Sequence, residues 1–380
     1  MNLADASPSI FDFSWPAALV MERVTAIADG PLAESAYRID REGYYPLDVM
    51  ASLGKAGAFG AHLGLNGGRY GLALDAMRAI SRRCGSTGFL TWSHDVCGLY
   101  MEQSGNPALT GDALQNHMLG RTFGGTALSN PMKALAGIEK MLLRATKVPG
   151  GYRVSGALPW VSHIAPGQYC GAIAAVYHED GSRSHEIMFM LRCTGDVALR
   201  QCPEFSGMEG TSTWGVRLDG LFVGENDIIA DPAQPFIARI RAAFVLLQIG
   251  MATGIVQGSI DSMREVEPLL GHVNQFLQDR PDELQAEYEE LEARVARLAL
   301  TPYDGSKDYL LDVLDARTQG SELALRASQS ALLHQGARGY LLSSAPQRRV
   351  REAHFAAIVT PAIKHLRWEM ARLSKEEVPA

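Results

Sequence analysis

The spacing of apolar residues changes twice along this chain, and that double change restricts the fold more than any single motif. From Trp15 to about Gly120 the spacing is mostly helical. Ala17, Val20, Val24 and Ile27 share one face, and Leu47, Met50, Leu53 and Ala58 follow Pro46, a residue suited to a helix start. Between about Arg121 and Asp231 the texture becomes short runs rich in Val, Tyr, Phe and Thr. Turn signals separate them: Pro149-Gly150-Gly151, Glu179-Asp180-Gly181 and Asp219-Gly220. After Asp231-Pro232 the helical texture returns with the apolar segment from Ile237 to Ile260. Leu284, Tyr288, Leu291, Val295 and Leu298 then form an amphipathic stripe that suits a bundle helix. The expectation is an α+β chain in three parts: an N-terminal helical domain over 1–120, a middle β domain over 121–231 and a C-terminal helical bundle domain over 232–380.

With 380 residues, 47% hydrophobic and 20% charged, the chain can bury a large interior, which excludes a disulfide knot or a lone zinc module. A net charge of −7 provides no global basic field, so nucleic acid is not an expected partner. The five cysteines (Cys84, Cys97, Cys170, Cys193, Cys202) contain no CxxC pair and no zinc-like spacing with histidine. They read as reduced thiols in a cytoplasm, and no metal is expected. The segment from Met1 to Pro16 carries Asp5 and Asp12 and does not read as a secretory signal. No unbroken apolar run reaches the roughly 18 residues of a membrane span, so no membrane is expected as a partner.

Four segments carry a resemblance that covers nearly the whole length. The first is Tyr45-Pro-Leu-Asp-Val-Met-Ala-Ser-Leu-Gly-Lys-Ala-Gly-Ala-Phe-Gly60. The second is Thr122-Phe-Gly-Gly-Thr-Ala-Leu-Ser-Asn-Pro131 with Gly151-Tyr-Arg-Val-Ser-Gly-Ala-Leu-Pro-Trp-Val-Ser162. The third is Glu204-Phe-Ser-Gly-Met-Glu-Gly-Thr-Ser-Thr-Trp-Gly-Val-Arg-Leu218 with Val223-Gly-Glu-Asn-Asp-Ile-Ile229. The fourth is His334-Gln-Gly-Ala-Arg-Gly-Tyr340 with Arg348-Arg-Val-Arg-Glu-Ala-His354. In this order the chain resembles the acyl-CoA dehydrogenase superfamily, including its branch of flavin monooxygenases. The resemblance implies a β-barrel or sandwich as the middle domain, a flavin between it and the C-terminal bundle, and a homotetramer or homodimer.

The resemblance also implies roles for particular residues. Trp160 and Ser162, two apart on a strand, match the aromatic-x-hydroxyl pair on which a flavin ring stacks and from which its N5 edge takes a hydrogen bond. Leu128 and Ser129 match strand positions that meet the pyrimidine end of the ring. Gly336, Ala337 and Arg338 match the glycine loop near the diphosphate, and Lys364 falls near the cofactor. The arginine usual for the pyrophosphate is missing at Val273-Asn-Gln-Phe276, with Arg280 as a displaced substitute. FAD is the implied cofactor, with FMN open.

The family's catalytic glutamate position is occupied by Thr360, and the alternative position on the first C-terminal helix falls near Phe244. Both places for a base are empty of carboxylates. The small-residue loop that often meets the pantetheine arm is replaced by Met132-Lys-Ala-Leu-Ala136. Thr360-Pro361 resembles the end of a His-Asp-Pro pattern found in the monooxygenase branch, with Val359 departing from it.

Ser162 and Thr360 are therefore candidate catalytic groups, and His94 is the candidate proton carrier, placed by the resemblance on a cavity wall. Asp95 can orient His94 only if the helix bends there. His163 is expected to point away on a strand; His354 and His365 are weaker candidates, and Glu209 reads as a loop charge. The expected activity is a flavin-dependent oxidation of a small or aromatic organic substrate, free or as a CoA thioester, with O2 as reactant through a flavin–oxygen adduct. A flavin reductase would be a partner. The alternatives are an acyl-CoA dehydrogenase or oxidase acting on an activated acyl group, and a non-catalytic flavin- or thioester-binding protein.

Overall fold

A computed structural model describes residues 15–375. Helices come first: α1 (Ala17–Ile27), α2 (Ala33–Arg41), α3 (Leu47–Lys55), α4 (Tyr70–Arg83), α5 (Gly85–Ser104) and α6 (Asp112–Met118). A π-helical turn over Ala28–Leu32 joins α1 to α2 and contains Pro31, whose missing N–H is better absorbed in a wide turn than in a regular one. The middle part holds β1 (Gly124–Thr126), α7 (Ser129–Leu135), β2 (Leu143–Val148), β3 (Gly151–Val161), β4 (Tyr169–Tyr177), β5 (Arg183–Arg192), β6 (Val197–Gln201), β7 (Trp214–Gly224) and β8 (Ile228–Ala230). The chain then returns to helices α8 (Ala233–Asn274), α9 (Pro281–Leu298), α10 (Lys307–Gln335), α11 (Ala345–Ile358) and α12 (Ile363–Lys375). The helical, β, helical order is the expected one.

The strands form one sheet in the order β6-β7-β3-β2-β4-β5-β8, with β1 parallel to β4. Strands β4 and β5 are buried on both faces, and alternation assigns each face to a different core. Cys170, Ala172, Ala174, Ile187, Phe189 and Leu191 belong to the β domain's own interior. Ile173, Met188 and Met190 face the helices and join their larger core. The sheet is thus clamped onto the helical parts by the residues between its inward-facing ones.

Helix α8 runs through the centre and packs on α4 and α10. Its glycines explain how close α4 comes. A Cβ at Gly254 would lie 2.5 Å from the Arg78 carbonyl oxygen, and one at Gly258 would lie 2.5 Å from that of Arg82. Glycine at this four-residue spacing lets the two backbones touch. Among the described helices α8 alone is long and apolar enough to cross a bilayer, but 94% of its apolar window is buried inside the protein, as in a core helix. The α9 stripe Leu284, Tyr288, Leu291, Val295 and Leu298 is buried in full.

Candidate functional site

Where the three parts meet lies an open cavity of about 570 Å³, a size suited to a small organic molecule. Its deep wall is aromatic. Phe89 and Trp92 come from α5, Phe244 from α8 and Phe355 from α11. Phe89 stacks on Trp92 with ring centres 5.6 Å apart and meets Phe355 edge-on at 4.7 Å; Trp92 meets Phe244 edge-on at 5.2 Å. These offset and edge-to-face contacts lock the rings into one apolar surface.

The opposite wall is the end of β3 and the loop beside it. Trp160 leaves 60% of its surface exposed, and its nearest ring is Phe205, edge-on at 6.3 Å. A large flat indole face is therefore open to the cavity. Just past the strand, Ser162 Oγ lies 2.7 Å from Thr213 Oγ1, which lies 2.9 Å from Thr211 Oγ1. Thr211 donates to the Met208 carbonyl at 2.7 Å. A carbonyl only accepts, so the chain of hydroxyls is polarised towards it: Thr213 donates to Thr211, and Ser162 donates to Thr213. Ser162 thus turns its lone pairs, rather than its proton, to other partners. This differs from the expectation that Ser162 serves as a donor, and the reason is the terminal carbonyl.

Thr360 closes the third side. Its hydroxyl lies 3.0 Å from Ser129 Oγ, and its carbonyl accepts from Gln248 Nε2 at 2.9 Å. Among the described residues no Asp or Glu lines the cavity. The ionisable groups that do are Lys133, paired with Glu139 at 2.6 Å, Arg351, paired twice with Asp40 at 2.6 Å, and His354. His354 donates its Nδ1 proton to the Val350 carbonyl at 2.7 Å, which leaves the Nε2 lone pair available.

The structure therefore brings Leu128, Ser129, Trp160, Ser162 and Thr360 together around one cavity. Leu128 and Ser129 are not strand residues, however. Ser129 opens α7 and Leu128 caps it, because the Met132-to-Ala136 replacement contains no glycine and continues as helix. Gly336, Ala337 and Arg338 form a short 3-10 turn at the far end of α10, beside exposed Tyr340 and Leu341, and do not line the cavity. Lys364 is an exposed residue in the first turn of α12 and does not line it either. Arg280 is exposed just before α9 and does not line the cavity, so it does not substitute there for the missing arginine.

His94 must also be corrected. It is fully buried, not on the cavity wall, and stacks on His117 with ring centres 3.6 Å apart. His94 Nε2–H donates to the His117 carbonyl and His117 Nε2–H donates to the His94 carbonyl, at 2.9 and 2.8 Å. The Tyr169 hydroxyl donates to His117 Nδ1 at 2.8 Å. His163 lies beyond the end of β3 with φ of 59°, and contacts Tyr45 and His94 at 2.9 and 3.4 Å. Asp95 does not orient His94; its carboxyl accepts from the Gly60 N–H, and its carbonyl accepts from His62. Burial pushes His62, His163 and His117 down to about 3, 3 and 4, and His94 well below its usual value, so all four rings are neutral. Glu209 accepts from the Phe205 N–H and braces the loop of the open wall.

Reading the sequence alone missed Phe89, Trp92, Phe355 and Thr213 as cavity residues. The signal was weak: aromatic residues on buried helices look the same whether they pack on protein or on a ligand.

Comparison with known proteins agrees with this architecture. Residues 17–120 match the family described as acyl-CoA dehydrogenase, N-terminal domain. The mitochondrial isovaleryl-CoA dehydrogenase of Solanum tuberosum is 24% identical over 87% of this chain and 84% of its own length. A pigment production hydroxylase from Rhodococcus sp. is 27% identical over 54% of this chain and 50% of its own. Among solved structures, butyryl-CoA dehydrogenase from Megasphaera elsdenii superposes with a TM-score of 0.80 at 16% identity, covering 98% of this chain and 100% of that one. Dibenzothiophene monooxygenase from Paenibacillus sp. A11-2, in its complex with FMN and indole, superposes at 0.80 and 14% identity over 95% and 98%.

Helices, sheet and helices around an interdomain cavity give the chain the fold of the acyl-CoA dehydrogenases, and its first helical part matches the N-terminal domain of that family.

Proposed function

We propose that this chain is a flavin-dependent oxidoreductase that oxygenates a small aromatic substrate, using O2 and a flavin reduced elsewhere. The observation that carries this reading is the character of the cavity: a rigid aromatic wall, an open indole opposite it and, among the described residues, no carboxylate between them. Abstracting an α-proton from an acyl thioester calls for a basic group beside the substrate, and Thr360 cannot serve.

The residues fit a flavin. Trp160 offers the flat apolar face on which its ring would stack, while Ser162, Leu128 and Ser129 surround that face with hydroxyl and backbone groups. Bound there, a flavin would supply two-electron redox chemistry and, in its reduced form, the activation of O2. Ser162, with its proton committed to Thr213, offers an acceptor to an N–H, which suits a reduced ring. Phe89, Trp92, Phe244 and Phe355 hold a planar substrate and exclude water. His354 Nε2 is the cavity's available proton acceptor and replaces His94 in the proton-carrying role. FAD and FMN are both compatible with these contacts.

A second reading, dehydrogenation or oxidation of an acyl group whose α-proton is already acidic, draws on the isovaleryl-CoA and butyryl-CoA dehydrogenases among the similar proteins. We also propose a homo-oligomer. Phe276, Leu333 and Tyr340 expose 84, 63 and 76% of their surface at the joined ends of α8 and α10, more than a monomer would leave in water. The Gly336–Arg338 turn would then serve a neighbouring copy. The five cysteines are free thiols, in keeping with a cytoplasmic setting.

Purified protein decides between the readings. Consumption of O2 and product formation that require externally reduced FMN or FAD support the oxygenase. Anaerobic bleaching of the bound flavin by acyl-CoAs, with no need of O2, would replace it with the second reading. Failure to bind either flavin, oxidised or reduced, would overturn both.

A further inference from the structure

We propose that Arg317 and Gln248 are positioning residues that hold the turn after α11 and so set the Thr360 hydroxyl against Ser129. Arg317 lies in the middle of α10 and is completely buried. Among the described residues it has no carboxylate partner, an arrangement that is costly unless its donors are well used. They are used on three elements. Nε donates to Gln248 Oε1 at 2.9 Å, one terminal nitrogen donates to the Ala356 carbonyl at 2.6 Å, and the other donates to Ser321 Oγ.

The Ala356 bond has a physical rationale. It falls in the last turn of α11, where carbonyls have no partner within the helix and the helix dipole is negative, so a buried cation is stabilised there. Burial lowers the guanidinium to about 10, which leaves it charged at neutral pH.

Gln248 relays this anchor to the cavity. Arginine has donors only, so Oε1 of the amide must face it, and the NH2 group is thereby turned towards Thr360. Its bond to the Thr360 carbonyl and the contact between the Thr360 and Ser129 hydroxyls grip the turn from both sides. Neither Arg317 nor Gln248 lines the cavity, so each acts through Thr360. Only the functional consequence of this arrangement rests on the oxygenase reading; the mechanical part stands without it.

Gln248→Glu separates positioning from simple stability. The carboxylate keeps, and strengthens, the partner of Arg317 but has no proton to give the Thr360 carbonyl. We expect hydrogen–deuterium exchange in the peptide 356–366 to rise about tenfold, the effect of losing one buried hydrogen bond. The thermal midpoint should stay within about 2 °C of the parent, exchange in 284–298 should not change, and the visible spectrum of bound FMN should shift. Arg317→Lys, which keeps the charge but not the fork, should loosen the same peptide and is read in the same way if Gln248→Glu fails to fold. Unchanged exchange in 356–366, or a rise matched in 284–298, would overturn the proposal. If the parent protein binds no FMN, the cavity reading fails while the exchange measurement still decides the positioning role.

Discussion

Two regions of this molecule bury polar side chains, and they do so to opposite ends. The imidazole cluster of His62, His94, His117 and His163 contains the titratable groups that a search for catalysis would choose first, but all four rings are sealed inside the fold; those of His94, His117 and His163 are occupied by carbonyls, tyrosines and one another, and His62 bonds the Asp95 carbonyl. The cavity holds few ionisable groups, yet it leaves an indole face open, an imidazole nitrogen available and a polarised row of hydroxyls along one wall. Residue type marks the first region and unsatisfied surface marks the second. Function follows accessible unsatisfied surface, because a group sealed inside the fold cannot reach a ligand.

Acid is the strongest way to break this comparison. For a histidine buried neutral, the folded state binds its proton more weakly than the unfolded state. Stability is then fully present above the unfolded value near 6.5 and is lost as pH falls towards the folded values of about 3 to 4. Each of His62, His117 and His163 should cost roughly 2 kcal/mol between pH 7 and pH 5. Urea titrations at the two pH values should show a fall of that order per ring, partly reduced in His117→Gln. Equal stability at both pH values would mean that the cluster accommodates protons and is not the closed structure described.

Trp160→Ala tests the other region. Because the indole is exposed, folding should barely change, whereas flavin affinity should fall by about 2 kcal/mol, roughly thirtyfold, through loss of the stacking face. Equilibrium dialysis with FMN and FAD measures this, and unchanged affinity would remove Trp160 from the site. His354→Gln should act more narrowly. Turnover should drop about tenfold or more, with little change in flavin affinity. A loss of turnover of about tenfold in a His94 variant that still folds, and not in His354→Gln, would restore His94 to the proton-carrying role.

Much of the fold was legible in the sequence because periodicity is local. The α9 stripe and the turn-punctuated strands depend on neighbours within a few residues, and both are found in the structure. The cavity was legible where a motif stood in for geometry, at Leu128, Ser129, Trp160, Ser162, Phe244 and Thr360. His94 was misplaced because a helix position does not reveal which neighbour faces it, and here that neighbour is His117, 23 residues on. Leu128 and Ser129 read as strand only by resemblance, because a family motif says nothing of the helix that the Met132-to-Ala136 residues of this chain form.

The order of helical and β segments, the absence of a carboxylate at both places where a base was sought, and the presence of an indole two residues from a serine were determined by the chain itself. Only the tertiary structure decided which imidazoles are sealed and which can reach a ligand. It alone showed that the Ser162 proton is committed to Thr213, and that a buried guanidinium steadies Thr360 from another helix. The reason is physical: side-chain type and spacing follow from covalent order, whereas exposure and the direction of a hydrogen bond depend on groups brought together from distant parts of the chain.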